Sequence, residues 1–139
     1  MRSCFAGLNL YGFDVIAADN LCTGFREAVH PRARFYQVDI RDTAAVDALL
    51  ARENIEAVFH FAALSQVSES VAEPQRYCEN NLDGTAVLLR AMEAHGVEKL
   101  VFSSSAAVYG EPAHLPILSM TFSLRITTAS SVQSVLILL

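Results

Sequence analysis

Short apolar segments alternate with amphipathic helical segments along this chain, and this alternation limits the possible folds more than any other feature. A short apolar run bounded by turn residues is typical of a buried strand, and apolar residues at helical spacing are typical of a helix. Alternating strands and helices form parallel sheets with helical crossovers. We therefore predict an α/β fold with a doubly wound parallel sheet. The predicted strands are residues 13–18, 34–38, 57–61 and 100–103.

Predicted helices connect these strands. Thr43 can cap a helix that runs to about Asn54, and Pro74 lies near the start of a long helix that reaches His95. Residues 1–12 have the spacing of the last turns of another helix. The chain has 139 residues, which is enough for one small domain with a hydrophobic core.

The first strand of a dinucleotide-binding domain is missing from this pattern. Such a domain opens with an apolar strand and a glycine-rich turn, but no three of the six glycines here have GxxGxxG or GxGxxG spacing. Because that strand lies mid-sheet, we expect unpaired edges at residues 13–18 and 57–61 and a poorly soluble or loosely packed chain. Residues 132–139 could insert as a substitute strand, although nothing in their sequence fixes a register.

The composition excludes several classes of partner and site. The net charge of −5 does not indicate the basic surface that is typical of nucleic-acid-binding proteins. No apolar run approaches the roughly 20 residues that span a membrane, and the amino terminus lacks a signal-peptide h-region. Cys4, Cys22 and Cys78 show no metal-ligand spacing, so we predict no metal site and reduced thiols in the cytoplasm.

A serine cluster follows the last predicted strand. Ser103, Ser104 and Ser105 come directly after the apolar run, and the small residues Ala106 and Ala107 follow them. Ligands of an open parallel sheet bind beyond the carboxyl ends of its strands, where hydroxyl groups bind a ligand without filling its space. Serine is also a common turn and cap residue, so a capped loop is the alternative interpretation.

Three stretches resemble the extended short-chain dehydrogenases/reductases, in the NAD-dependent epimerase/dehydratase family, and within it most closely the UDP-glucose 4-epimerases. These stretches are residues 59–64, 77–85 and 102–110. The similarity extends from about residue 12 to about residue 117. It implies an incomplete NAD-binding, Rossmann-like domain over residues 1–117, in which the first strand and the glycine-rich loop are lacking.

Residues 118–139 form a divergent tail in which this similarity ends. The tail contains no acidic residue, one basic residue (Arg125) and many serine, threonine and aliphatic residues. Its composition indicates a frameshifted, mis-spliced or mis-predicted terminus, or else a natural β-rich tail. We therefore expect a family member that is truncated at both ends, with a tail of uncertain structure.

The resemblance implies contacts from two strand ends to the adenosine half of NAD. Asp19 would accept hydrogen bonds from both ribose hydroxyls and would repel the additional phosphate of NADP. Asp39 would accept a hydrogen bond from the adenine amine. Each aspartate could instead be an ordinary turn former. The residues implied for this half of NAD are Asp19, Asn20, Leu21, Cys22, Thr23, Gly24, Asp39 and Ile40.

The resemblance also implies contacts to the centre and the nicotinamide end of NAD, from the loop after residue 60. The alternatives are plain strand-end packing for this loop and a helix-surface amide for Asn80. His60 is interpreted as a core residue rather than a catalytic one. Many epimerases have lysine at the position of Ser65. The residues implied here are Phe61, Ala62, Ala63, Leu64, Ser65 and Asn80.

Ser105 is the catalytic residue that the resemblance assigns, as the hydroxyl that would hydrogen-bond O4 of a UDP-sugar. The implied reaction interconverts UDP-glucose and UDP-galactose through transient hydride transfer to NAD. The base of the family is a Tyr-x-x-x-Lys pair, which is absent because the only lysine is Lys99. An unassisted serine does not ionise near neutral pH. We therefore expect this chain to be inactive and to bind NAD weakly or not at all.

Two other functions remain open at this point. The first is another NAD-dependent nucleotide-sugar dehydratase or reductase. Related dehydratases usually carry an acidic pair where Ala106 and Ala107 stand, which favours an epimerase. The second is a non-catalytic fragment that pairs with a full-length copy, since members of the family are often homodimers.

Overall fold

The computed structural model describes residues 12–103 and 134–138, and its strands form one parallel sheet. Each of the four strands predicted from the sequence is found within one residue of its predicted bounds. The strands are β1 (Asp14–Asp19), β2 (Arg34–Gln37), β3 (Ala57–His60), β4 (Lys99–Phe102) and β5 (Ser134–Leu138). They lie in the order β2-β1-β5-β3-β4. The fold class is therefore confirmed as a partial doubly wound sheet.

The strand β5 occupies the middle of this sheet. Leu136 is the register partner of Ile16 on β1 and of Val58 on β3, and all three side chains are 0% exposed. The expectation that β1 and β3 leave unpaired edges is wrong, because β5 pairs with both. The register is also defined, and it places Leu136 and Leu138 in the same core cluster as Ile16. A slip by one residue would turn both leucines to the opposite face.

The helices differ from their predicted bounds in two ways. The helix α1 begins at Thr43, but its cap is Asp42, whose carboxylate accepts a hydrogen bond from the backbone N–H of Ala45 at 3.1 Å. The long helix predicted from Pro74 contains a π-helical turn (Glu79–Asp83). The helices are α1 (Thr43–Arg52), α2 (Val67–Ala72), α3 (Pro74–Cys78) and α4 (Gly84–Ala94), and α2 was not predicted.

The hydrophobic core lies on both faces of the sheet. Successive residues of β1 alternate between the faces, so that Ile16 packs with Leu88 of α4 and Val15 packs with Val29 of the following loop. Burial on both faces is typical of parallel sheets. The carboxyl ends of the strands are therefore held at one edge of a packed layer.

Some sequence predictions fall outside the described residues. Apart from Gly12, the helix predicted over residues 1–12 is among them. The domain boundary predicted after residue 117 also lies there and stays a prediction. Among the described residues, no helix combines the length and the apolar character that crossing a bilayer requires.

Candidate functional site

A cavity of about 240 Å³ opens at the carboxyl ends of β1, β5 and β3. Open α/β sheets bind their ligands at this edge. Leu21, Asp39 and Ser65 do not line the cavity, and Ser105 lies outside the described residues. The residues that the sequence assigned to a cofactor and that do line it are Asp19, Asn20, Cys22, Thr23, Gly24, Ile40, Phe61, Ala62, Ala63, Leu64 and Asn80.

Five further residues line the cavity although the sequence did not assign them to it. Val38 could have been predicted to lie in the cavity wall, because it is an apolar residue at the carboxyl end of a predicted strand. Leu138 lies in the segment 132–139 that the sequence offered as a substitute strand, but its place in the cavity wall depends on a register that the sequence does not fix. The five residues are Ala18, Phe25, Ala28, Val38 and Leu138.

Asp19 ends β1 beneath a loop that folds back over its carboxylate. The Oδ1 atom accepts a hydrogen bond from the backbone N–H of Leu21 at 2.7 Å, and Leu21 adopts a left-handed φ of 59°. The backbone N–H of Cys22 donates to the side-chain carbonyl of Asn20 at 3.0 Å. A Cβ atom on Gly24 would lie 2.3 Å from Asp19 Oδ2. A side chain at position 24 would therefore have to displace the Asp19 carboxylate or move the loop.

Asp39 is held by its neighbours at the rim of the site. Arg41 donates from its backbone N–H and from Nε to Oδ1, each at 2.9 Å, and from Nη2 to Oδ2 at 2.7 Å. Asn20 Nδ2 donates to Oδ2 at 3.2 Å. These four donors match the roughly four lone-pair sites of a carboxylate. The hydrogen bonds from Arg41 also hold the pKa of Asp39 well below its usual range.

The loop after β3 forms the wall opposite Asp19. The backbone N–H of Phe61 donates to the carbonyl oxygen of Leu138 at 2.9 Å, which ties the loop to the end of β5. Ala62 and Ala63 follow in the cavity wall, and neither has a side chain longer than a methyl group. Backbone can therefore approach a bound ligand closely along this wall.

Two adjacent asparagines of the π-helical turn reach this loop. Asn81 bonds the backbone of Leu64 in both directions, since Leu64 N–H donates to Oδ1 and Nδ2 donates to the Leu64 carbonyl, each at 2.9 Å. Asn80 is 8% exposed and lines the cavity. Its Nδ2 atom donates to Asn81 Oδ1 at 2.9 Å. The sequence assigned Asn80 to the cofactor but missed Asn81.

His60, at the end of β3, is 2% exposed, which confirms its interpretation as a core residue. Thr85 donates its hydroxyl proton to the carbonyl oxygen of Asn81 at 2.7 Å, so its Oγ1 accepts from His60 Nε2 at 2.9 Å. The proton of the neutral imidazole is therefore on Nε2. Nδ1 is buried and has no hydrogen-bond partner among the described residues. Burial lowers the pKa of His60, because the charged ring would carry an unsatisfied N–H at Nδ1.

Acid is expected to destabilise the fold through His60. Because the pKa of His60 is lower in the folded than in the unfolded chain, its contribution to stability is full above the unfolded value of ~6.5 and decreases below it. One proton changes the free energy of unfolding by at most about 1.4 kcal/mol per pH unit. Urea unfolding at pH 7, 6 and 5 should show a smaller loss for His60→Gln, which keeps a donor toward Thr85. Equal losses in both proteins would contradict this assignment.

The described residues suit the adenosine half of NAD at Asp19, whereas at Asp39 the hydrogen-bond acceptors are already occupied. The Asp19 carboxylate at the end of a parallel strand suits ribose hydroxyls, and Val38 and Ile40 supply apolar cavity walls. An adenine amine at Asp39 would have to displace one of four donors. No three of the six glycines in the sequence have the spacing of a pyrophosphate-binding turn. Among the described residues, no group of three or more potential ligands could hold a metal ion.

Comparison with known families gives a match over most of the chain. The family described as "Epimerase: NAD dependent epimerase/dehydratase family" matches residues 5–131. The strand β5 lies beyond the end of this match. The cavity walls contributed by β1, by the loop after β3 and by Asn80 all lie within it.

Individual relatives are similar to the same part of the chain. A UDP-glucose 4-epimerase from Lacticaseibacillus casei is 52% identical over 106 residues, which cover 76% of this chain and 32% of the relative. The UDP-glucose 4-epimerase from Bacillus subtilis (strain 168) is 47% identical over 123 residues, which cover 84% of this chain and 36% of the relative. The crystal structure of UDP-glucose 4-epimerase from Bifidobacterium longum in complex with NAD+ and UDP is similar to this chain with a TM-score of 0.76 at 41% identity. The match covers 85% of this chain and 37% of that structure's chain. The chain spans about a third of the length of these relatives.

Proposed function

The chain belongs to the NAD dependent epimerase/dehydratase family, and from this premise we propose that it is the NAD-binding part of a UDP-glucose 4-epimerase. The observation that supports this most is the cavity, which brings Asp19, the loop after β3 and Asn80 together from separate parts of the chain. Relatives at about 50% identity carry the same name, and one similar structure contains NAD+ and UDP.

Each wall of the cavity has a distinct role in this proposal. The Asp19 carboxylate accepts hydrogen bonds from the ribose hydroxyls, and the loop of Ala62 and Ala63 lets backbone approach the centre of the cofactor. Asn80 orients the nicotinamide end. The chemistry that bound NAD would supply at this site is reversible acceptance of a hydride from C4 of the sugar. Ser105 hydrogen-bonds O4 of the UDP-sugar and shares its proton.

The chain as printed is expected to show no turnover. Proton removal from O4 needs a base, and none of the four tyrosines has a lysine four residues on. Incubation of the purified chain with NAD and UDP-galactose should therefore leave UDP-galactose unchanged. Epimerisation that disappears in Ser105→Ala would contradict this expectation.

Binding of NAD to the chain as printed is expected to be no tighter than millimolar, because no three of its glycines have the spacing of a pyrophosphate-binding loop. Addition of millimolar NAD should shift the amide resonances of Ala62 and Ala63. Asp19→Asn should remove these shifts, whereas Asp14→Asn, the same change at the exposed opposite end of β1, should retain them. Micromolar affinity by calorimetry, or shifts that survive in Asp19→Asn, would count against the proposed site.

A cytoplasmic location belongs to the same proposal. Cys22 and Cys78 are both free and exposed, which suits a compartment that keeps thiols reduced. Homodimer formation and the lack of a nucleic-acid partner stay predictions from the family resemblance and from the net charge of −5.

A further inference from the structure

The side chain of Asn81 makes a two-way contact with the backbone of one residue in the cavity wall. Leu64 N–H donates to Asn81 Oδ1 at 2.9 Å, and Asn81 Nδ2 donates to the Leu64 carbonyl at 2.9 Å. A side chain needs a donor and an acceptor side by side to pair with one residue's N–H and C=O in this way, and near neutral pH only the carboxamides of asparagine and glutamine carry both on one carbon atom. The contact therefore depends on the identity of the side chain as well as on its volume.

Asn81 is itself fixed from two directions. Its Oδ1 atom also accepts from Asn80 Nδ2 at 2.9 Å, so only one orientation of its amide satisfies all three bonds. Its backbone carbonyl accepts from the hydroxyl of Thr85 at 2.7 Å, which in turn contacts the buried His60. The loop after β3 is thereby connected to the end of β3 through a chain of side chains.

The π-helical turn explains how two adjacent residues can serve one wall. In an α-helix, successive side chains point about 100° apart, so neighbours do not share a face. The wider turn over Glu79–Asp83 lets Asn80 and Asn81 contact the same loop. Single π-helical turns inside α-helices occur frequently at functional sites.

We propose that Asn81 is the positioning residue of the cavity wall, because it sets both the backbone of Leu64 and the amide of Asn80. Without the side chain of Asn81, Leu64 loses both of its hydrogen bonds to the helical segment. Asn80 Nδ2 then keeps only the longer contact to the Ala62 carbonyl, at 3.5 Å. The importance of this wall for NAD rests on the proposed function. The positioning of the wall rests on the geometry alone.

Amide hydrogen exchange of Leu64 in the absence of NAD tests the positioning directly. Asn81→Leu keeps the approximate volume but removes both bonds, and two hydrogen bonds of ordinary strength correspond to exchange about 10- to 100-fold faster. The amides of Ile16 and Val58 in the sheet should keep their protection. Asn54→Leu, the same change at an exposed helix end, should leave Leu64 unaffected. Exchange at Leu64 within about threefold of the original chain would overturn the proposal.

Asn81→Asp gives a second measurement that does not depend on the leucine variant remaining folded. The carboxylate cannot donate to the Leu64 carbonyl, but the protonated carboxyl group has the same donor and acceptor as the amide. The protection of Leu64 should therefore be about tenfold lower at pH 7 and should recover as the pH falls toward ~4, near the ordinary aspartate pKa. Asn54→Asp should show no such recovery. A space-filling role at position 81 predicts no recovery either, so a flat profile in Asn81→Asp would overturn the proposal.

The same samples separate this inference from the proposed function. Shifts of Ala62 and Ala63 on addition of NAD test the cofactor site, whereas Leu64 protection without NAD tests Asn81. A chain with Asn81-dependent protection and no NAD-induced shifts would support the positioning role and overturn the cofactor assignment alone. Leu64 exchange that is independent of Asn81 would overturn the positioning role, whatever NAD does.

Discussion

Replacing Leu136 with aspartate is expected to unfold the domain. Leu136 is 0% exposed and lies between Ile16 and Val58, which are also 0% exposed. Loss of the buried leucine side chain costs about 1.5–3 kcal/mol, and an unpaired carboxylate in this position costs several kcal/mol more. The sum approaches the roughly 5–15 kcal/mol by which domains are stable. Urea unfolding followed by circular dichroism should show no cooperative transition.

Leu82→Asp is the matched control for this variant, because Leu82 is 66% exposed. The same substitution there should change the free energy of unfolding by no more than about 0.5 kcal/mol. Leu136→Ala should be intermediate, with a loss of about 2–5 kcal/mol. If Leu136→Asp unfolds as cooperatively and at the same urea concentration as Leu82→Asp, β5 does not occupy the centre of the sheet.

Gly24→Ala is expected to displace the Asp19 carboxylate. The new Cβ would lie 2.3 Å from Asp19 Oδ2 and 3.1 Å from its Cγ, and Oδ1 is already fixed by the N–H of Leu21 at 2.7 Å. Relief of the overlap must break that bond or move the loop, and overpacking of this kind costs about 1–3 kcal/mol. Urea unfolding measures the loss of stability. The NAD-induced shifts at Ala62 and Ala63 should disappear in the same variant.

A second substitution distinguishes this overlap from ordinary loss of glycine. Asp19→Ala removes the overlapping atoms, so Gly24→Ala should cost much less stability in that background than in the original chain. Gly96→Ala is the control, because Gly96 has open space and a left-handed φ of 69°. Its cost of about 1–2 kcal/mol comes from backbone strain and should not depend on Asp19. Equal costs of Gly24→Ala in both backgrounds would show that position 24 does not press on the carboxylate.

Local sequence patterns determined the strands and much of the candidate site. The predicted bounds of β1 and β2 hold to within one residue because both apolar runs end at a turn residue, Asp19 for β1 and Asp39 for β2. The carboxyl ends of parallel strands lie at one edge, so the sequence alone predicts that Asp19, Ile40 and Ala62 lie together. Their role in cofactor binding came from the family resemblance and stays a proposal.

Only the tertiary structure decided that the apolar end of the tail does fill the centre of the sheet, and in which register. The tail carries no local signal for a register, because the register of β5 depends on Ile16 and Val58, which are far away in sequence. The tertiary structure alone also shows that Leu138 lies in the cavity wall and that Asn20 donates a hydrogen bond to Asp39. Asn81 was missed because helical periodicity assigns one residue of an adjacent pair to a face. The π-helical turn, whose backbone bonds span one residue more than those of an α-helix, brings Asn80 and Asn81 to the same loop.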